Sequence, residues 1–170
     1  MNENFDACDD YVLKFDMKEK MIEYKYNHSY RVVHQAEEIC RSINLDTEER
    51  DLASLIALLH DIARFRQWTE FKTYNDAKSF DHGDEGAKIL FDEGVIKNFI
   101  CKKEDHDIIK KAVKYHNKMY VDFNSLNDRE KLHTKIIRDA DKIDIVYSFS
   151  TNRLLELNET GDNIKEEVEE

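Results

Sequence analysis

Residues 54–65 read SLIALLHDIARF and combine an apolar run with three ionisable side chains. Leu, Ile and Ala at this density are typical of a buried helix. The run leads directly into His60 and Asp61, and Arg64 follows three residues later. A buried carboxylate is costly unless it is paired with a cation or bound to a metal ion. The sequence therefore predicts a buried helix that carries an ionisable pair for a chemical purpose.

The rest of the chain shows the same helical period. Its 170 residues include no proline and four glycines, and no segment shows the sustained alternation that indicates a strand. Helices are predicted at about residues 5–15, 20–43, 47–64, 82–93, 104–116 and 128–157. Residues 66–81 are predicted to form a long loop. We therefore predict an all-α single domain over residues 1–160, followed by a frayed acidic tail, 161–170.

Composition and charge narrow the class of protein. The formal net charge is −11, whereas non-specific binding to DNA or RNA needs clustered Lys and Arg, so we expect no nucleic-acid partner. No apolar run approaches the roughly 20 residues that span a bilayer, and the acidic N-terminus lacks a signal-peptide pattern. Cys8, Cys40 and Cys101 form no CxxC pair, which is typical of reduced thiols. We expect a cytoplasmic protein with no membrane partner, and its oligomeric state is left open.

Histidines and aspartates recur on the predicted helices in a pattern that indicates a metal site. His28 lies on the second predicted helix, and His60 and Asp61 end the apolar run. The last predicted helix carries three acidic residues within six positions: Asp139, Asp141 and Asp144. Neutral imidazole and carboxylate together suit a first-row transition metal. Three acidic residues on an apolar helix need an explanation, since a buried carboxylate is costly unless it is paired or bound to a metal ion.

The order of these residues resembles the HD-domain metal-dependent phosphohydrolases. That family has a histidine, a contiguous His-Asp pair and a distant aspartate, each on a separate helix. The matching residues here are His28 in HSYRVV, His60 and Asp61 in ALLHDIARF, and Asp141 in DADKIDI. The resemblance covers about residues 27–147. It implies an HD-type helical bundle in which these four side chains bind a metal ion between helices.

Two further stretches resemble a subset of that family. DHGDEGAKIL matches a helix start with His82, Gly83 and Gly86, and IIKKAVKYHNK matches a helix that ends in His116. In dinuclear members such histidines bind a second metal ion and the HD aspartate bridges both ions. In mononuclear members the equivalent residues face the substrate phosphate. The sequence leaves the choice between one and two ions open.

The resemblance implies a reaction and a cofactor. The expected reaction is hydrolysis of a phosphoester in a nucleotide or other small phosphorylated metabolite, by attack of a metal-activated water. Asp61, His82 and His116 would be the catalytic residues. The ligand set offers imidazole and carboxylate but no thiolate, which suits Fe, Mn, Co, Ni or Zn. The metal identity, the substrate and the choice between monoester and diester are not predicted.

Three basic residues are candidates for binding the substrate phosphate: Arg31, Arg64 and Lys142. A guanidinium can bind phosphate oxygens bidentately, although a surface salt bridge explains either arginine nearly as well. Lys142 could instead neutralise Asp139. The aromatic side chains of residues 66–81 could form a substrate lid, a base-stacking wall or a satellite hydrophobic cluster.

Other functions remain open at this level. A di-iron oxygenase on the same fold would use the same six ligand positions, and a non-catalytic nucleotide-binding regulatory module could retain them. The remaining histidines, His34, His106 and His133, are interpreted as surface or core residues without a direct catalytic role.

Overall fold

The computed structural model describes residues 2–151, and within that range the chain is all-α. Its α-helices are α1 (Asn2–Val12), α2 (Lys20–Ser42), α3 (Thr47–Leu59), α4 (Ile62–Phe71), α5 (His82–Phe91), α6 (His106–Tyr115) and α7 (Asp128–Ser150). Short 3-10 helices occur at Asp76–Lys78, Val95–Asn98, Lys103–Asp105 and Phe123–Ser125. The prediction of an all-α single domain is confirmed. The predicted tail, 161–170, and the predicted end of the last helix near residue 157 lie outside the described residues.

Helix α3 is the central helix of the bundle. Every residue from Leu52 to Leu59 is buried, because α2 and α7 pack against α3 while α6 and α1 contact its other sides. The helix begins at Thr47, where the Asp46 carboxylate accepts a hydrogen bond from the Glu49 backbone N–H at 2.9 Å. Such an N-cap contributes about 1 kcal/mol. Burial of the apolar run holds His60, at its end, in the interior.

The structure corrects the predicted course of the chain around residue 60. Helix α3 ends at Leu59 and α4 begins at Ile62, whereas a single helix to about residue 64 was expected. Asp61 has φ −102° and ψ 19°, outside the helical region, so the chain changes direction between the two helices. The apolar pattern continues through the break because Ile62, Ala63 and Phe65 are also buried. Periodicity alone therefore could not reveal it.

The predicted loop at residues 66–81 is also partly wrong. Helix α4 extends to Phe71 and ends where Lys72 adopts a left-handed conformation with φ 53°. The connection that remains, residues 72–81, contains a short 3-10 turn and ends at Asp81, whose side chain caps α5. In the described part of the chain, no helix is long and apolar enough to cross a membrane.

Candidate metal centre

Four buried histidines meet between the helices. His28 lies on α2, His60 follows α3, His82 begins α5 and His116 follows α6. Their Nε2 atoms face one another in two pairs, with 3.3 Å between those of His28 and His60 and 3.0 Å between those of His82 and His116. Each of the four residues is at most 5% exposed.

Asp61 lies between the two pairs. Its Oδ2 is 3.6 Å from Nε2 of both His28 and His60. Its Oδ1 is 3.6 Å from Nε2 of both His82 and His116. One carboxylate thus presents one oxygen to each pair, which is the arrangement that a bridging ligand requires.

Asp141 completes the first of these pairs. Its Oδ1 lies 3.1 Å from His28 Nε2 and 3.6 Å from His60 Nε2. We call His28, His60, Asp141 and Asp61 Oδ2 the first half-site. The second half-site consists of His82, His116 and Asp61 Oδ1. The six ligand positions predicted from the sequence therefore lie together in the structure.

The hydrogen bonds of the imidazoles test whether this centre fits a metal ion. The nearest partner of each Nδ1 is a group that only accepts: Asp144 Oδ2 at 2.8 Å from His28, Ala57 O at 2.7 Å from His60, Asp76 Oδ2 at 2.6 Å from His82, and Val113 O at 2.7 Å from His116. The Asn117 amide nitrogen lies farther from His82 Nδ1, at 3.3 Å. Each Nδ1–H must therefore donate, which leaves the Nε2 lone pair of a neutral ring directed into the centre. Facing lone pairs repel unless a cation lies between them, so the donor set fits divalent metal ions.

The ligand atoms also cluster within the span of a single ion. Those of His28, His60 and Asp141 all lie within 4.8 Å of one another, as do those of His60, Asp61 and His116. Nitrogen and oxygen donors without thiolate are suited to first-row transition metals rather than to softer ions. Two overlapping groups of this kind are consistent with either one or two ions.

Electrostatics differ between the half-sites. Burial alone would lower the pKa of His28, but hydrogen bonds to Asp141 and Asp144 outweigh it and raise that pKa to about 9. Burial and the charge of Arg64 lower the pKa of His82 to about 4, although Asp76 acts in the opposite direction. His82 is therefore neutral at pH 7, whereas His28 must release a proton when a metal ion binds.

The carboxylates of the centre are ionised. Burial would raise the pKa of Asp61, but the neighbouring cations, led by Lys25, hold it well below its usual range. Burial acts in the same direction on the pKa of Asp141, and hydrogen bonds from His28 and His60 hold that pKa well below its usual range. Both side chains are thus ready to bind a cation.

Close contact between α5 and α6 brings His82 to His116. A Cβ at Gly83 would lie 2.5 Å from Asn117 Oδ1 and 2.6 Å from the Lys114 carbonyl oxygen. Since real Cβ contacts are not this short, any larger residue at position 83 would push the helices apart. This explains the glycine that follows His82 in the DHGDEGAKIL stretch.

Two residues of the centre were not identified from the sequence. Lys25 precedes His28 by one helical turn, and its Nζ lies 3.2 Å from Asp61 Oδ2. The i,i+3 spacing from His28 was the available signal. Asp76 lies in the loop before α5, where it binds His82 and also accepts hydrogen bonds from Arg64 and Gln67. Nothing in the sequence pattern marks a loop aspartate six residues before its histidine.

The three predicted phosphate-binding residues have different surroundings. Arg31 donates to Asp144 through Nε at 2.8 Å and Nη2 at 3.0 Å, on the outer side of His28. Arg31 also lines a surface cleft of about 1000 Å³. Arg64 is buried, with Nε 3.6 Å from Asp61 Oδ1. Lys142 is exposed on α7, and among the described residues it makes no ion pair with the centre.

The remaining histidines lie away from the centre. His34 is exposed on α2, and the His106 ring contacts Phe91 at the start of α6. His133 is buried on α7, where its Nε2 lies 2.6 Å from Glu49 Oε2. The aromatic side chains near α4 support the loop that carries Asp76, since the Tyr74 hydroxyl donates to the Met21 carbonyl oxygen at 2.8 Å.

Comparison with known families agrees with this geometry. The family model of the HD domain matches residues 26–145, which is more than half of the chain and includes all six ligand positions. No curated protein and no solved structure matches the chain significantly. HD domains bind divalent metal ions and form a superfamily of metal-dependent hydrolases. The chain belongs to the HD domain family.

Proposed function

We propose that this protein hydrolyses a phosphoester of a small metabolite such as a nucleotide, with divalent transition metal ions bound at the two half-sites. One observation carries the proposal: Asp61 presents one oxygen to each of two imidazole pairs. That is the ligand arrangement of a two-metal centre for phosphoester chemistry. Which of Fe, Mn, Co, Ni and Zn binds would depend on availability more than on intrinsic affinity.

The charge of the centre supports an anionic substrate. In the described part of the chain, the carboxylates that contact the four imidazoles are Asp61, Asp76, Asp141 and Asp144. Close to the imidazoles, three cations contact these carboxylates: Lys25, Arg31 and Arg64. With all four imidazoles neutral, as metal binding requires, these groups leave one negative charge in excess, which two divalent ions would turn into an excess of three positive charges. A phosphoryl group offers the negative charge that such a buried centre needs.

The residues around the ligands determine how the reaction would proceed. A metal ion held by these residues would supply a water of lowered pKa and would offset charge on the phosphoryl oxygens. Asp76 and Asp144 fix the rings of His82 and His28, and such outer partners strengthen imidazole ligands. The burial of all four rings restricts bulk water. His82 and His116 would bind the second ion or, with a single ion, face the substrate phosphate.

The test combines metal analysis with a panel of phosphomonoester and phosphodiester substrates. We expect hydrolysis that excess EDTA abolishes and that Mn²⁺, Co²⁺, Fe²⁺ or Ni²⁺ restores better than Ca²⁺, which prefers all-oxygen sites. Asp141→Ala should remove the activity, whereas Asp139→Ala, two residues away on the exposed face of α7, should retain it.

Three outcomes would contradict the proposal. Equal rescue by Ca²⁺ would mean that the histidines are not metal ligands. Turnover that depends on dioxygen and reduced iron would assign oxygenase chemistry to the same ligands. Nucleotide binding without turnover across the panel would assign a regulatory module.

A further inference from the structure

Lys25 is a buried cation in the first half-site. Its side chain is 4% exposed and its Nζ lies 3.2 Å from Asp61 Oδ2. The ammonium also lies over two aromatic rings, 5.2 Å from the centroid of Tyr74 and 5.9 Å from that of Tyr24. Burial of an ammonium group costs several kcal/mol unless anions compensate it. The ammonium therefore lies against the carboxylate that both half-sites share, and this position calls for a functional explanation.

The two arginines near the centre make different contacts from Lys25. Arg31 uses Nε and NH2 to bind Asp144, which lies on the far side of the His28 ring from the ligand atoms. Arg64 donates through Nη1 to Gln67, to the Tyr74 carbonyl oxygen and to Asp76. Its Nε lies 3.6 Å from Asp61 Oδ1, the oxygen that faces the second half-site. Lys25 instead directs its charged group to the ligand oxygen of the first half-site.

The contacts of Asp61 Oδ2 indicate what Lys25 does at this position. Asp61 Oδ2 faces Lys25 Nζ at 3.2 Å and the Nε2 atoms of His28 and His60 at 3.6 Å. A divalent ion held there would place a second cation against the same oxygen. An anion bound in front of the ion relieves this repulsion. An ammonium has three donors and a flexible stem, so Lys25 can keep its contact with Asp61 and donate to that anion as well.

We propose that Lys25 is a phosphate-binding residue, whose ammonium donates to a phosphoryl oxygen of the anion bound at the first half-site. This inference rests on the proposed function and deepens it, because it identifies which cation of the centre contacts the substrate. It also states that Lys25 recognises the anion rather than the metal ion.

Inorganic phosphate is the probe, because it carries the proposed chemistry without a substrate-specific part. We would titrate phosphate by calorimetry into the Mn²⁺-loaded protein, and Mn²⁺ separately into the protein without phosphate. Lys25→Met should weaken phosphate binding at least tenfold. Lys25→Arg, which retains the charge, should retain more phosphate affinity than Lys25→Met. Lys135→Met, which removes a positive charge from an exposed position on α7, should match the wild type.

The Mn²⁺ titration separates phosphate recognition from a structural role. Lys25→Met should bind the same number of ions as the wild type, with equal or higher affinity, since a competing cation is gone. Phosphate affinity within twofold of the wild type in Lys25→Met would overturn the inference. A parallel loss of bound Mn²⁺ would also overturn it, because Lys25 would then only support Asp61. Mn²⁺ binding without phosphate binding in the wild type would overturn the phosphoester proposal as well.

A measurement on the wild type covers the case in which Lys25→Met does not fold. With ¹³C- and ¹⁵N-labelled lysine and the diamagnetic ion Zn²⁺, the side-chain resonances of Lys25 should shift when phosphate is added. Lysines on the surface, such as Lys135, should not shift. Unchanged Lys25 resonances at saturating phosphate would refute the contact.

Discussion

The two half-sites have the same imidazole geometry but different charge. In both, a pair of Nε2 atoms faces one oxygen of Asp61. The first also has Asp141, and its His28 has a pKa raised to about 9. The second has no carboxylate of its own among the described residues within contact of its Nε2 atoms, and its His82 has a pKa lowered to about 4. The first half-site should therefore bind a cation more tightly, whereas the second is ready to bind one without releasing a proton.

The largest expected effect comes from the residue that both half-sites share. Asp61→Asn keeps the shape of the side chain but removes its charge, so both half-sites should lose affinity. We expect turnover to fall by at least about three orders of magnitude while helical content remains. Metal analysis, circular dichroism and the substrate panel would measure this. Full activity with metal still bound in this variant would contradict both the bridging role and the proposed function.

Removal of one ligand from the second half-site should reveal how many metal ions each half-site binds. His116→Ala should reduce the metal content from about two ions per chain to about one, since the second half-site has few other ligands. His34→Ala changes an exposed histidine and is the matched control. A stoichiometry near one that is the same in the wild type and in His116→Ala would mean that the second half-site binds no metal ion. It would then assign His82 and His116 to the substrate.

The carboxylates that accept hydrogen bonds from the histidine rings allow the same test of metal affinity at each half-site. Asp76 holds His82 and Asp144 holds His28, each through Nδ1. Loss of such a partner typically costs 10- to 100-fold in metal affinity. We expect Asp76→Asn to weaken the second half-site alone and Asp144→Asn the first alone, as measured by competition with a chelator. If both variants weakened the same ion, the two half-sites would not be independent.

The smallest expected effect is a change with pH in the free energy of unfolding of the protein without metal. Because its pKa is about 9 in the folded state and about 6.5 when unfolded, His28 stabilises the fold fully below pH 6.5 and loses this contribution toward pH 9. His82, at about 4, has the opposite effect: its contribution is complete above pH 6.5 and is lost as pH falls toward 4. Each slope is at most about 1.4 kcal/mol per pH unit.

Denaturant unfolding in EDTA between pH 4 and 9 would measure both slopes. His28→Asn should flatten the alkaline slope and leave the acidic one, and His82→Asn should do the reverse. An alkaline slope that persists in His28→Asn would show that another group titrates there.

How far the sequence predicts this centre depends on where each residue lies. The ligands on helices, such as His28 and Asp141, stand in a pattern of spacing and apolar context that can be read directly. Asp76 could not be identified, because its distance from His82 is set by a loop whose path follows no period. The break after Leu59 was missed because buried residues continue on both sides of it. Whether the six ligands bind one ion or two stays a prediction.

The supports of the four rings differ in how they respond to mutation. His60 and His116 donate to carbonyl oxygens three residues earlier, at Ala57 and Val113, and no side-chain substitution deletes a backbone acceptor. His28 and His82 donate to carboxylates, which a single codon change can remove or make neutral. Each half-site thus combines one ring of fixed basicity with one whose basicity can be altered. Evolution or protein engineering could therefore adjust metal preference at one half-site without dismantling either, through positions that never contact the ion.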